Sequence, residues 1–307
     1  MILCCGEALI DMLPRQSTAG EPSFAPYAGG AIFNSAIALG RLGVPTEFFS
    51  GLSSDLFGQQ IRDVLAQSNV GSRYANLSGR PTTLAFVRLD NGHATYTFYD
   101  ENTAGRMLTD ADLPALGDDI NAMLFGAISL IPEPCGAAYE ALMRHEHGKR
   151  VAMLDPNIRP GFIQDKQHHL ERMQRMIKMA DIVKLSDEDL AWFGETGSQD
   201  DVAARWLDSG PRLVIVTAGS KGATGYSRRH KVSVTPDKVT VVDTVGAGDT
   251  FNAGVLASLH DQKALTKAAI SELSEQAIHG ALSLGARAAA VTVSRAGANP
   301  PWRRELA

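Results

Sequence analysis

Positions 241–251 bring together residue types that could do chemistry. The segment reads VVDTVGAGDTF, in which two β-branched residues predict a strand end, two glycines a tight turn, and the residues after them a helix start. The N–H groups of Gly246, Ala247 and Gly248 would have no helical partner there and could bind an anion. Asp249 would stand just inside the helix, where a carboxylate is favoured and could accept a hydroxyl proton. An anion cradle beside a carboxylate indicates phosphoryl transfer to an alcohol.

Two other interpretations of this segment are open. Gly-Ala-Gly could begin a dinucleotide-binding fingerprint, but that motif requires a third small residue at position 251, where Phe251 stands. The segment could also be only a glycine-rich turn with a helix-capping aspartate. We favour phosphoryl transfer because the segment offers the cradle and the carboxylate together.

Length and composition restrict the class of protein. With 307 residues, of which 44% are hydrophobic and 21% are charged, the chain suits one large α/β domain. The net charge of -5 gives no sign of a nucleic-acid or acidic-membrane partner, and no apolar run approaches a membrane span. The first residues lack the pattern of a signal peptide, and the spacing of Cys4, Cys5 and Cys135 indicates buried, reduced thiols. We therefore expect a cytoplasmic location.

Apolar β-branched runs alternate with helical patterns along most of the chain. This order predicts an α/β fold, a mostly parallel central sheet flanked by helices, in a single domain over residues 1–307. The predicted strands are 2–9, 46–51, 122–129, 150–155, 181–185 and 212–217. The predicted helices are 31–43, 55–68, 134–147, 165–179, 187–194, 199–208, 249–260 and 263–284.

A smaller β-layer is predicted where the alternation of strand and helix patterns is interrupted. Residues 82–89 and 93–99 are strand-like runs separated by the tripeptide DNG at 90–92, a strong hairpin signal. Residues 12–28 form a polar segment with scattered aromatic residues between the first predicted strand and the first predicted helix. We expect the two stretches, approximately 12–28 and 82–99, to form a β-sheet lid that excludes water during the reaction.

Polar side chains near predicted strand ends could bind a substrate that carries hydroxyl groups. Gly29 and Gly30 allow a sharp entry into a helix, and one turn later the Asn34 amide could bond to a hydroxyl. Asp11, just past the first predicted strand, would face the crevice at the carboxyl edge of the sheet. Arg159 follows another predicted strand and could neutralise a phosphate or a carboxylate.

Two further strand ends could bind a nucleotide. Lys184 and Ser186 lie at the end of the predicted strand 181–185, and Ser186 has the spacing of a helix-capping box with Asp189. A metal role of Asp189 would act through bound water. The second strand end is that of the predicted strand 212–217, where the residues that could hold phosphates or ribose are Thr217, Gly219 and Gly222.

The order and spacing of these segments resemble the ribokinase-like (PfkB) carbohydrate kinases from end to end. Gly29 and Gly30 with Asn34 are similar to the N-terminal signature of that family, and DTVGAGD at 243–249 is similar to its C-terminal signature. The segments that look most like bacterial fructokinases are GEALID at 6–11, FYDEN at 98–102 and KLSDE at 184–188. The resemblance implies a Rossmann-like ribokinase fold with a β-sheet lid, ATP as the phosphoryl donor and Mg²⁺ as a cofactor.

The resemblance also implies roles for individual residues. Asp249 would be the general base beside an anion hole made by Gly246, Ala247 and Gly248. The sugar contacts would be Asp11, Gly30 and Asn34. The nucleotide side would include Lys184, Thr217 and Gly219. A monovalent cation, K⁺, would be held by Asp243 and the carbonyl group of Val245.

Residues and resemblance together predict ATP-dependent phosphorylation of fructose at a primary hydroxyl. One alternative is a kinase for a sugar acid such as 2-keto-3-deoxygluconate, whose carboxylate Arg159 would suit. A second alternative is a catalytically silent sugar-binding regulator on the same fold. The resemblance further implies a homodimer, and we expect neither a nucleic-acid nor a membrane partner.

Overall fold

The structure, a computed structural model, describes residues 1–90 and 93–306. Its strands in chain order are β1 (Ile2–Cys5), β2 (Leu9–Gln16), β3 (Pro22–Gly29), β4 (Thr46–Phe49), β5 (Gly51–Ser53), β6 (Val70–Gly71), β7 (Asn76–Ser78), β8 (Leu84–Asp90), β9 (His93–Tyr99), β10 (Ala122–Gly126), β11 (Val151–Asp155), β12 (Ile182–Ser186), β13 (Leu213–Thr217), β14 (Ala223–Tyr226) and β15 (Lys231–Val234). Its α-helices are α1 (Ala31–Arg41), α2 (Leu56–Gln67), α3 (Cys135–Glu146), α4 (Lys166–Met179), α5 (Asp187–Phe193), α6 (Gln199–Ser209), α7 (Ala247–Asp261), α8 (Lys267–Ile270) and α9 (Glu275–Val293).

A nine-stranded sheet forms the centre, in the order β15-β14-β13-β12-β11-β10-β1-β4-β6. From β13 to β6 all neighbouring strands are parallel, and β14 and β15 extend the sheet as an antiparallel edge. The strands of the parallel part are buried and read as continuous apolar runs, as expected of a sheet covered on both faces. The predicted α/β fold is therefore confirmed.

Helices cover both faces of this sheet. Helices α1, α7 and α9 share one apolar core, and α3, α4 and α6 share the other. Helices α7 and α9 pack with their backbones in contact, because a Cβ atom at Gly254 would stand 2.6 Å from the Cα atom of Gly285. This packing fixes α7, whose first turn carries Asp249. Within the described ranges, no helix combines the length and apolarity that crossing a membrane requires.

A separate four-stranded sheet has the order β3-β2-β8-β9. In its register Asp11 lies opposite both Tyr27 and Ala85, and Ala85 lies opposite Phe98. Because directly opposed residues point to the same side of a sheet, these four side chains share one face. The predicted DNG turn includes positions 91 and 92, which lie outside the described residues. That this sheet acts as a lid stays a prediction, as does the assignment of residues 1–307 to one domain.

Several predicted boundaries are wrong for identifiable reasons. The strand predicted over 2–9 ends at Cys5, because the chain leaves the central sheet and joins the smaller one at Leu9. Val241 and Val242 end no strand: both are 60% exposed, and the Val242 N–H donates to the carbonyl group at the end of α9. The helix predicted over 263–284 is divided into α8 and α9, since Ser274 caps a new helix by accepting from the Ala277 N–H.

Candidate active site

The first turn of α7 forms the centre of the site. Gly246 precedes the helix with φ 78, a left-handed conformation that favours glycine, and a Cβ atom there would lie 2.8 Å from the Ala298 side chain. The Ala247 N–H donates over a long 3.3 Å to the Thr244 carbonyl. Gly248 leaves room for the Lys184 ammonium group, because a Cβ atom at position 248 would stand 3.3 Å from the Lys184 Nζ atom. The helix start thus combines backbone N–H groups with an ammonium group.

Asp249 lies in this first turn and is only 7% exposed. Its Oδ2 atom accepts a hydrogen bond of 2.9 Å from the Asn34 amide, and its backbone carbonyl accepts one of 3.1 Å from the Ser35 hydroxyl. Burial raises the pKa of Asp249 to about 7; the charges of Asp155 and Glu7 also raise it, whereas the Asn34 bond and Lys184 lower it. A carboxylate with a pKa near neutrality can accept a proton and release it again in each catalytic cycle.

Lys184 reaches the site from the middle of β12 through a buried polar cluster. Its Nζ atom lies 3.2 Å from the Asp155 Oδ2 atom, which also accepts a 2.6 Å hydrogen bond from the Asn252 amide. Asn252 is one turn beyond Asp249 on α7, and Asp155 is the last residue of β11. Asp155 is the last residue of the strand predicted over 150–155, but nothing in the sequence distinguishes Asn252 from the other residues of a buried helix.

Asp11 stands on a different element from the one predicted. It lies within β2 of the smaller sheet and not beyond the end of a central strand, so the predicted reason for its position is wrong. Gly29 makes room for it, since a Cβ atom at that position would come within 2.3 Å of the Asp11 Oδ2 atom. Burial raises the pKa of Asp11 to about 6. The structure thereby brings Asp11 next to the paired glycines.

Glu7 lies beside the paired glycines, although no motif in the sequence selects it. Its Oε1 atom accepts a 2.7 Å hydrogen bond from the Ala31 N–H and so caps α1. Gly30, at φ 114, must be a glycine, because a Cβ atom would stand 2.8 Å from the Glu7 carbonyl oxygen. Burial raises the pKa of Glu7 to about 7. The signal in the sequence was an acidic residue within the apolar run that predicts the first strand, 2–9.

Arg159 and Tyr96 are both open to solvent. Arg159 is exposed, and its guanidinium donates to the carbonyl of the preceding residue. Tyr96 of β9 has a pKa raised by burial and by the charges of Asp11 and Asp243, and lowered by Arg159. Tyr96 lies opposite Val87, on the same face of the smaller sheet as Asp11, although no motif in the sequence selects it.

The residues of the predicted nucleotide side gather at the ends of β12 and β13. Ser186 lies opposite Thr217 in the sheet register, and the Thr217 hydroxyl donates to the Leu185 carbonyl. Gly219 and Gly222 follow in left-handed conformations with φ 52 and φ 102. A Cβ atom at Gly222 would lie 2.0 Å from the Val234 carbonyl oxygen, so this turn packs directly on β15.

Asp189 and Asp243 are both held by backbone groups. The Asp189 carboxylate accepts from the N–H groups of Ser186 and Ile158, and it completes a capping box with the Ser186 hydroxyl. The Asp243 carboxylate accepts from the N–H groups of Val245 and Gly297. These bonds fix both carboxylates, and the metal roles predicted for Asp189, Asp243 and Val245 stay predictions.

The chain matches a known protein family along nearly its whole length. The model described as "pfkB family carbohydrate kinase" matches residues 1–304. The chain belongs to the pfkB family of carbohydrate kinases. The family resemblance read from the two signatures is therefore confirmed.

Other members of the pfkB family resemble the chain over nearly its whole length. A fructokinase of Rhizobium leguminosarum bv. trifolii is 61% identical over 278 residues, which are 91% of this chain and 85% of that protein. A probable fructokinase-4 of Arabidopsis thaliana is 33% identical, covering 98% of this chain and 93% of that protein.

Solved structures of fructokinases superpose closely. The fructokinase of Xylella fastidiosa with bound ATP has a TM-score of 0.89 at 28% identity, covering 99% of this chain and 97% of that one. The fructokinase of Vibrio cholerae O395 in the fructose, ADP and calcium ion bound form has a TM-score of 0.82 at 25% identity, covering 97% and 94%. The central sheet, the helices and the smaller sheet are thus shared with sugar kinases.

Proposed function

We propose that this protein transfers the γ-phosphoryl group of ATP to a primary hydroxyl of fructose. The observation that carries the proposal is the buried carboxylate of Asp249, with a pKa of about 7, one residue after the glycine that adjoins the Lys184 ammonium. A group that accepts a proton and a group that neutralises an anion stand side by side at the start of α7. The 61% identity to a fructokinase supports fructose as the acceptor.

The reaction follows from this arrangement. Asp249 accepts the proton of the primary hydroxyl as the hydroxyl oxygen forms a bond to the γ-phosphorus atom. The bond to the β–γ bridging oxygen breaks, and that oxygen leaves with ADP. The N–H groups at the start of α7 and the Lys184 ammonium stabilise charge on the transferring group. The Asn34 amide holds the carboxylate of Asp249 in one orientation.

Magnesium and potassium belong to the same proposal. Among the described residues there is no cluster of three or more His, Cys, Asp or Glu side chains that could hold a metal ion. Magnesium fits this site because it commonly binds through substrate phosphates and water, and Asp189 would act on it through water. It would supply positive charge to the ATP phosphates. Asp243 and the Val245 carbonyl would hold K⁺ near the anion cradle.

An ADP-release assay tests the proposed reaction. Fructose, ribose, glucose, nucleosides and 2-keto-3-deoxygluconate are compared as acceptors, with Asp249→Asn as the inactive control. We expect the highest kcat/KM for fructose. Preferred turnover of 2-keto-3-deoxygluconate would show a sugar-acid kinase instead; the exposed Arg159 favours this second candidate, because its guanidinium could bind a carboxylate. ADP release from none of them would indicate a silent sugar-binding regulator.

The smaller sheet supports a homodimer. Phe24, Phe86 and Tyr99 meet on its face opposite Asp11, with ring centroids 5.0 Å and 5.6 Å apart, and Phe24 and Tyr99 are 48% and 60% exposed. Such an aromatic patch is typical of a protein–protein interface. We expect a dimer in sedimentation velocity that Tyr99→Glu converts to a monomer. A monomeric parent would contradict the proposal.

A cytoplasmic location and the absence of nucleic-acid partners are part of the proposal too. The thiols of Cys4, Cys5 and Cys135 are free and buried, which suits a reducing compartment. The net charge of -5 does not favour binding to a polyanion. Fractionation of cells that express the protein tests its location, and binding that weakens steeply with salt would reveal a nucleic-acid partner.

A further inference from the structure

A cavity of about 470 Å³ lies beside the candidate acceptor site, by which we mean Asp11, Gly29, Gly30, Asn34 and Asp249. We call it the side cavity. It is bounded by the segment 7–9, the end of β9, the segment after β10, the start of α3 and the segment that leads into α4. Its apolar walls include Leu9, Phe98, Ile131, Phe162 and Ile163. Cavities of this size, with apolar walls and a few polar groups, commonly bind small organic molecules.

Three residues connect the side cavity to the acceptor site. Glu7 lines the cavity, and its carboxylate accepts a 2.7 Å hydrogen bond from the Ala31 N–H, next to Gly30. Leu9 also lines it and pairs with Gly29 in the sheet register. Phe98 lies on the same face of the smaller sheet as Asp11. An acceptor that contacts Asp11 and presents a hydroxyl to Asp249 would therefore direct its other end towards the side cavity.

The charges of the side cavity disfavour an anion. Arg106 lines it but is paired with Asp100 at 2.9 Å, and Glu133 is likewise paired with Arg172, so the acidic side chains of Asp165 and Glu7 remain in the lining without a cationic partner at ion-pair distance among the described residues. The aromatic rings of Phe98 and Phe162 meet edge to face, 4.8 Å apart, and supply an apolar wall.

His169 adds an uncharged polar group to the same cavity. It lines the cavity, is 3% exposed, and neither ring nitrogen makes a hydrogen bond of regular geometry among the described residues, although the backbone of Leu130 is nearby. Burial and the neighbouring Arg172 lower its pKa to about 4, so the ring is neutral at neutral pH. The lining therefore suits an uncharged group with an apolar surface.

We infer that the side cavity receives an uncharged substituent on the end of the acceptor that does not react. The enzyme would then phosphorylate neutral fructofuranosides as well as free fructose. This inference rests on the proposed function and extends it to a second class of acceptor. The chemistry is unchanged: the primary hydroxyl loses its proton to Asp249 and gains the phosphoryl group, ADP leaves, and the glycosidic bond stays intact.

The test compares fructose with benzyl and 4-carboxybenzyl β-D-fructofuranoside. Both kcat/KM and calorimetric binding are measured for the parent protein and for Ile131→Trp, which fills the side cavity from a half-buried wall position. The matched control is Leu77→Trp, which adds the same ring at a position that is 60% exposed on β7. Melting temperatures establish that both variants are folded.

We expect the parent to use the benzyl compound with a kcat/KM within about tenfold of that for fructose, and the carboxybenzyl compound at least about tenfold less well. Ile131→Trp should lower kcat/KM for the benzyl compound by at least about tenfold and change that for fructose by less than about threefold. Leu77→Trp should change neither.

Three results would overturn the inference. They are a parent that neither binds nor phosphorylates the benzyl compound, an equal loss for both acceptors in Ile131→Trp, and a preference for the carboxylate. If the parent does not phosphorylate fructose, the proposed function is wrong. Calorimetric binding of the benzyl compound to the parent, and its loss in Ile131→Trp, then decides the inference separately.

Discussion

The hydrogen bond from Asn34 to Asp249 should set the pH range in which the enzyme works. Asp249 can act as a base only when ionised, and burial raises its pKa to about 7. Activity should therefore rise with pH through about this value. The Asn34 amide favours the ionised form through its 2.9 Å bond. Replacing Asn34 with alanine removes that stabilisation, so the pKa should rise further and activity should begin at higher pH.

The size of this shift follows from the strength of the bond. A hydrogen bond to a charged group contributes about 1.5–3 kcal/mol, and one pKa unit corresponds to about 1.4 kcal/mol. Asn34→Ala should therefore move the acidic limb of the pH profile upwards by about one to two units. Water that enters the space left by the amide would keep the shift near the lower value.

The assay is the pH dependence of kcat/KM for fructose. A loss of sugar binding in Asn34→Ala would lower the whole profile, whereas the loss of the bond to Asp249 moves its limb along the pH axis. Ser35→Ala is the matched control, because the Ser35 hydroxyl bonds to the backbone carbonyl of Asp249 and not to its carboxylate. A limb that moves by less than about 0.3 unit in Asn34→Ala, or equally in both variants, would refute the reasoning.

Three further predictions concern the acceptor side. Asp11→Ala should raise the KM for fructose by about tenfold to a hundredfold and leave that for ATP unchanged, since a charged hydrogen-bonding partner contributes about 1.5–3 kcal/mol; impaired ATP binding with normal fructose binding would contradict this. Glu7→Gln should raise the melting temperature more at about pH 8 than at about pH 5. Folding raises the pKa of Glu7, so ionisation of Glu7 destabilises the folded protein progressively as the pH rises from the unfolded-state pKa to about 7, and glutamine removes this loss. An equal gain at both pH values would disprove it. Gly30→Ala should lower the free energy of unfolding in urea by about 1–3 kcal/mol, since a side chain would meet the Glu7 carbonyl oxygen at φ 114; a loss below about 0.5 kcal/mol would be too small for that clash.

The sequence was most informative where a local pattern carries its own physical reason. Apolar runs that alternate with helical patterns predicted the parallel sheet from β1 to β13, because buried parallel strands must be apolar throughout. The two glycines before Asp249 predicted the helix start, and the structure places α7 at Ala247–Asp261. These features depend on residues close together in the chain.

Features that depend on distant contacts could not be predicted in this way. The strand expected to continue to position 9 instead crosses to the smaller sheet, where Asp11 meets Gly29 from the antiparallel neighbour β3. The bond between Asn34 and Asp249 joins residues 215 positions apart. Asn252 gives no local signal either, because its role arises only when β11 places Asp155 beside α7.

The central claim is that Asp249 is the base that accepts the proton of the fructose hydroxyl. The most direct test measures turnover and binding on Asp249→Asn, which removes the charge but keeps the size of the side chain and suits a helix start. We predict that kcat falls by at least about a hundredfold, while calorimetry shows fructose and ATP binding within about threefold of the parent. A folded variant that phosphorylates fructose within about tenfold of the parent rate would contradict the claim, because another group would then supply the base.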